Sequence, residues 1–194
     1  IPDSLPVKTL KEFIDYGRAN PGVINYGSAG TATMPHLAAE VLAYMTGIKM
    51  VHVPYKGAAP AGVDLAAGRI QVSLLGVGSV RAQLAAGQVR VLAVAAPKRI
   101  PAIPNVPTFA EAGLPAYEVT NWFGVLAPAG TPREIINLLN NHIAQAFDNP
   151  KAIQQLSDAG IVPMKESVEQ FQKRIVADHA KWRDVVKNAG IKPE

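Results

Sequence analysis

The 194-residue sequence predicts an α/β fold built on a parallel sheet, and three observations carry that reading. Helical and extended patterns alternate from end to end. The extended stretches, among them 23–27, 50–54 and Ile70 to Leu75, are continuous apolar runs rather than alternating ones, as expected for strands buried on both faces. The 16 Gly and 16 Pro are scattered between the periodic segments, so they punctuate many short elements and form no linker.

Each element has a local reason. A helix over 7–19 ends at Asn20-Pro21-Gly22, which feeds a strand at 23–27. The next helix, 32–46, carries Met34, Leu37, Ala38, Val41, Leu42 and Met45 on one amphipathic face and stops at Gly47. A strand at 50–54, a helix at 58–67, a strand from Ile70 to Leu75, a helix at 79–86 and a strand from Val89 to Ala95 complete the alternation. Prolines 97, 101, 104, 107 and 115 then impose a rigid, irregular passage with one short helix around Thr108 to Ala112. An apolar strand from Val119 to Ala127 follows, then helices at 132–147 and 150–159, a short strand at 161–164 and a last helix at 168–188. A lobe boundary falls near residue 118. The part after it has two strands for three helices, too few to close a sheet, and so needs strands from elsewhere.

Two sequence patterns in that part read as structure. Thr131-Pro132-Arg133-Glu134 has the form of a capping box, as does Ser167 with Gln170. Val168, Phe171, Ile175, Trp182, Val185 and Val186 form one apolar stripe on the last helix, which makes Trp182 a core residue.

Composition excludes several function classes. The formal charge is +4, yet Lys8, Arg18, Lys56, Arg69, Arg81 and Arg90 stand singly, and no basic run is interleaved with aromatics. That argues against nucleic-acid binding, while a mildly positive field would still steer small anions. The absence of cysteine removes disulfides, thiolate metal sites and cysteine nucleophiles. No apolar run approaches the roughly 20 residues of a membrane helix, so membrane insertion is not expected. No signal peptide is recognisable. The sequence begins at Ile1 rather than Met, so an upstream segment is expected to have been removed or left out.

The candidate site is the stretch Asn25-Tyr26-Gly27-Ser28-Ala29-Gly30-Thr31-Ala32-Thr33. A short strand, a small hydroxyl-rich turn and a helix in succession place backbone N–H groups at a positive helix terminus, where an anion is favoured. The loops Pro54-Tyr55-Lys56-Gly57 and Gly76-Val77-Gly78-Ser79 follow the next two strands. In a parallel sheet these carboxyl ends converge on one edge, giving a crevice rich in donors and short of charge. Such a site suits binding of a carboxylate rather than turnover.

Enzymatic readings find less support. A nucleophile elbow needs G-x-S-x-G, but Tyr26 stands where its first glycine belongs, and His142 and His179 fall inside predicted helices. The four histidines are dispersed, and His36 with Glu40, four residues apart, is a commonplace helical pair. Neither a phosphate loop nor a dinucleotide fingerprint is complete. No catalytic residue, metal site or cofactor is therefore assigned. The alternative that remains is an α/β enzyme acting on a small organic acid through Ser28 or His36.

Gly27-Ser28-Ala29-Gly30 with His36-Leu37-Ala38-Ala39-Glu40, Val53-Pro54-Tyr55-Lys56-Gly57, Leu92-Ala93-Val94 with Arg99, and Asn105-Val106-Pro107-Thr108 with Glu111-Ala112-Gly113 together resemble one family. The match continues through Trp122, Gly124, Ala127-Pro128-Ala129-Gly130-Thr131-Pro132 and Trp182. The sequence resembles the substrate-binding receptors of tripartite tricarboxylate transporters, the Bug receptors. The resemblance implies a two-lobe, periplasmic-binding-protein-like fold of type II. Residues 1–118 would form the second lobe and 119–194 the returning part of the first, with roughly the first third of a typical family chain absent. It further implies a periplasmic receptor that captures a small organic carboxylate, a dicarboxylate or aromatic acid, and delivers it to a membrane permease. Carried over by position, the gripping turn is Ser28, Ala29, Gly30, Thr31, Ala32 and Thr33. Tyr55, Gly57, Gly76 and Val77 flank it, and Trp122 lies at the crossing between lobes. One departure is Ala32, where the family's turn usually has a second glycine.

Overall fold

The computed structural model describes residues 1–188. Three parallel strands form its sheet in the order β2-β1-β3, with β1 at Ile24–Ser28, β2 at Met50–Pro54 and β3 at Val72–Ser73. Tyr26 lies opposite His52 on one side and Val72 on the other. Helices α1 (Leu10–Ala19), α2 (Met34–Thr46) and α3 (Ala58–Ala66) connect and cover these strands.

Local chemistry starts and stops each helix. The Thr9 side chain caps α1 by accepting from the Glu12 N–H at 3.1 Å. Gly47, at φ 71°, ends α2 in the left-handed conformation that favours glycine. Phe13, Ile14, Ile24, Tyr26, Ala39 and Leu42 meet in the main core, between α1, α2 and the sheet. A second cluster of Leu65, Ile70, Val80 and Val89 lies under α3.

Several predicted elements shorten or dissolve. The strand expected from Ile70 to Leu75 is only two residues long, and the helix expected at 79–86 is a 3-10 turn at Val77–Val80 followed by α4, Arg81–Ala85. In place of a strand from Val89 to Ala95 there are two isolated bridges, Pro2 with Val89 and Val94 with Thr108. The reason is that its backbone partners are divided: Arg90 N–H donates to Ile1, while Val94 pairs with Pro107 and Phe109. β2 is an edge strand, not one buried on both faces, and Val51 is exposed.

Beyond Val119 the same pattern is stronger. Helices α5 (Arg133–Ala146), α6 (Pro150–Asp158) and α7 (Val168–Asn188) form near the expected positions. The expected strands Val119 to Ala127 and 161–164 do not. Neither has a ladder partner among the described residues, and an unpaired strand leaves its backbone groups to water. The capping box expected at Thr131 is also not formed, because its hydroxyl donates to the Pro128 carbonyl at 2.8 Å and Pro132 takes the cap position. The Ser167–Gln170 box does form, with reciprocal bonds of 3.2 and 2.8 Å.

Candidate functional site

The turn after β1 is held by its own side chains. The Ser28 hydroxyl accepts from the Gly30 N–H at 3.2 Å and lies 3.0 Å from the Gly30 carbonyl and 2.7 Å from His52 Nε2. It carries one proton, so when it donates to the Gly30 carbonyl, His52 Nε2–H donates to Ser28. Thr33 Oγ1 donates to the same Gly30 carbonyl at 2.7 Å. Thr33 is the N-cap of α2 but makes no side-chain cap bond to the first N–H groups of that helix. Pro35 within the first turn removes one donor without cost, since none of the first N–H groups has an intrahelical partner.

The neighbouring loop is bonded to this turn. Tyr55 N–H donates to Ser28 and Gly57 N–H to Ala29, both at 3.1 Å, so the loops after β1 and β2 form one surface. Gly27 leaves room for its neighbours: a Cβ there would displace the tip of the Ile70 side chain and lie 3.3 Å from Tyr55 Cε2. The Tyr55 hydroxyl donates to Asp64 at 2.8 Å, and burial together with that carboxylate pushes its pKa up to about 12. It is thus a neutral donor already engaged with a helix carboxylate, not a free acid.

Behind the turn lies a stack of rings that sequence reasoning did not find. His36 and His52 stack with centroids 3.8 Å apart and 11° between planes, and Tyr26 stacks on His52 at 4.9 Å. The Tyr26 hydroxyl donates to Glu40, and His36 Nε2 lies 3.9 Å from the same carboxylate. Burial, followed by the Glu40 contacts, raises the Tyr26 pKa far above the usual phenol range. The available signal was a lone polar residue, His52, in the middle of an apolar strand.

The sequence-predicted residues separate into two groups. Ser28 to Thr33, Tyr55 and Gly57 are brought together by the bonds above. Gly76 and Val77 are at the same sheet edge, but the loop packs on the end of α6: a Cβ on Gly78 would lie 2.8 Å from the Ala159 carbonyl. Trp122 donates its indole N–H to Asp178 at 2.5 Å and meets Phe171 edge-on at 5.2 Å, so its partners belong to α7. A concavity of about 420 Å³ lies between Ala95, Tyr117 and α7, but no turn residue lines it, and Arg174 on its wall is paired with Glu166.

Ser28 and His52 are close enough for a nucleophile and base, yet Ser28 is 0% exposed and its oxygen is already committed to Gly30. No substrate atom can reach it in this conformation. The sequence reading placed Ser28 in the gripping turn; in the structure its hydroxyl faces inward, against Gly30 and His52. His36 is likewise buried, and no group of three or more His, Asp or Glu among the described residues is arranged to hold a metal.

Comparison with known proteins matches this chain to one family. The model of the tripartite tricarboxylate transporter family receptor matches residues 1–191. A Pseudomonas sp. strain P51 protein encoded in the tcbD-tcbE intergenic region is 36% identical over 187 residues, covering 96% of this chain and 56% of its own length. Protein BugT of Bordetella pertussis is 31% identical over 188 residues, covering 97% and 58% respectively. Among solved structures, R. palustris Rpa4515 with adipate superposes with a TM-score of 0.88 at 38% identity, covering 100% of this chain and 64% of its own. MatC from Rhodopseudomonas palustris with bound malate gives 0.82 at 29% identity, covering 95% and 64%. The chain therefore spans a little over half the length of the curated relatives it matches. The fold is that of the periplasmic binding proteins, and the chain belongs to the tripartite tricarboxylate transporter receptor family.

Proposed function

We propose that this chain supplies one lobe, residues 1–118, and the returning part of a second, 119–194, of a periplasmic receptor that closes on a small organic carboxylate. The receptor delivers that acid to the membrane permease of a tripartite tricarboxylate transporter and catalyses no reaction. The observation that carries this reading is the start of α2: its cap residue spends its hydroxyl on Gly30 and makes no side-chain cap bond to the positive helix terminus, which lies at the carboxyl edge of the sheet. Ala29 to Thr33 shape the cup before that terminus, whose backbone N–H groups meet the acid, and Tyr55 and Gly57 form the adjoining wall; the Gly30 and Ala32 N–H groups and the Thr33 hydroxyl hold the turn itself. Ser28 acts from behind as a brace. Gly76, Val77 and Trp122 belong to the rim and the crossing between lobes. Support comes from two structural relatives, Rpa4515 with adipate and MatC with bound malate.

Calorimetry on the full-length protein with a panel of dicarboxylates, including adipate and malate, and aromatic acids tests the reading. Saturable binding of at least one acid is expected. Failure of the whole panel to bind would overturn it.

A further inference from the structure

We propose that His36 is the positioning residue of the gripping turn: as a neutral imidazole with its proton on Nε2, it holds Ala32 in the left-handed region, and its protonation releases the turn. The inference rests on the reading of residues 28–33 as the turn that grips the acid, and it adds a pH-sensitive element to that site.

Ala32 has φ 60°, the one positive φ among the described non-glycine residues. A residue with a Cβ is disfavoured there, so something must hold it. The Ala32 N–H donates to His36 Nδ1 at 3.0 Å. That bond fixes the tautomer, because an accepting Nδ1 has no proton and the ring's single proton is on Nε2. Nε2 in turn faces Glu40 Oε1 at 3.9 Å.

The ring cannot swing away to another partner. It is 6% exposed and stacks flat on His52 of β2, which itself stacks on Tyr26 of β1. The titratable groups facing it are therefore Tyr26 from β1, His52 from β2 and Glu40 from its own helix. Burial lowers the His36 pKa below 6.5 and Glu40 opposes that shift, so the ring is neutral above that pH. Once protonated, Nδ1–H would point at the Ala32 N–H, donor against donor. The bond is lost, a positive charge arises beside the turn, and Ala32 keeps only the Gly30–Thr33 bonds to hold its conformation.

Two ligand-free measurements test this on the full-length protein labelled with nitrogen-15. Long-range proton–nitrogen spectra at about pH 7.5 should show His36 protonated on Nε2 only, titrating below 6.5. A proton on Nδ1 at that pH would overturn the proposal. Amide exchange at Ala32 should accelerate about tenfold in His36→Phe, which keeps a ring in the stack but removes the acceptor. An unchanged rate would equally overturn it.

A third measurement reads the function. Adipate and malate affinity should fall about tenfold in His36→Phe, and adding Ala32→Gly should recover about threefold or more, since glycine adopts a positive φ without support. No recovery would mean that His36 acts other than through Ala32. If the wild-type protein binds no acid at all, the receptor reading fails, while the tautomer and exchange results still decide the role of His36.

Discussion

Residues 1–118 and residues 119–188 obey different rules. Among the described residues, every buried apolar side chain lies at or before Val119. After it, α5 and α6 bury none, and Phe123, Val125 and Leu126 are 80, 70 and 73% exposed. Helices form in both regions, because a helix satisfies its backbone bonds within one segment. Strands form only in the first, because each needs a neighbour in register. The second region thus shows what strand-prone runs do when no strand lies beside them among the described residues.

The largest expected effect tests where stability resides. Phe13, 1% exposed, anchors the main core, so Phe13→Ala should cost about 3–5 kcal/mol in urea unfolding. A loss under about 1 kcal/mol would show that the first region does not hold the fold. Next in size is Ser28→Ala, which leaves the Gly30 N–H and His52 Nε2 without their partner. Its expected cost is about 1–3 kcal/mol of stability. An unchanged unfolding midpoint would remove the bracing role of Ser28.

A smaller effect is expected from pH, because Glu40 offsets part of the burial acting on His36. The folded pKa lies below the unfolded value, so below 6.5 the unfolded chain binds the proton more readily. The stability held in neutral His36 is complete above 6.5 and is lost as pH falls through the folded value. Melting temperature followed against pH should decline in that window in the wild type and less in His36→Phe. Equal slopes would assign the acid sensitivity to another group.

How far the sequence could be read follows the same division. The helices were legible because periodicity and caps are local: Gly47 and the Ser167–Gln170 pair are visible in a few consecutive letters. The position of the turn at Gly27 to Thr33 was legible for the same reason. The direction of the Ser28 hydroxyl was not, since it depends on His52, 24 residues away and placed beside the turn only by the pairing of β1 with β2. The strands at Val89 to Ala95 and Val119 to Ala127 were misread because apolar, β-branched runs describe an ability to pair and carry no information on whether a partner is present.

The smallest expected effect tests the comparison itself. Leu138 lies on α5 and is 52% exposed, so Leu138→Ala should change urea stability of this chain by no more than about 0.5 kcal/mol. In the full-length protein the proposed first lobe would cover α5, and the same substitution should then open a cavity costing about 2–5 kcal/mol. A large loss already in this chain would mean that α5 is packed within residues 1–188 and that the two regions do not differ as described. Equally small losses in both would leave α5 a surface helix, and the assignment of 119–194 to a returning lobe would fail.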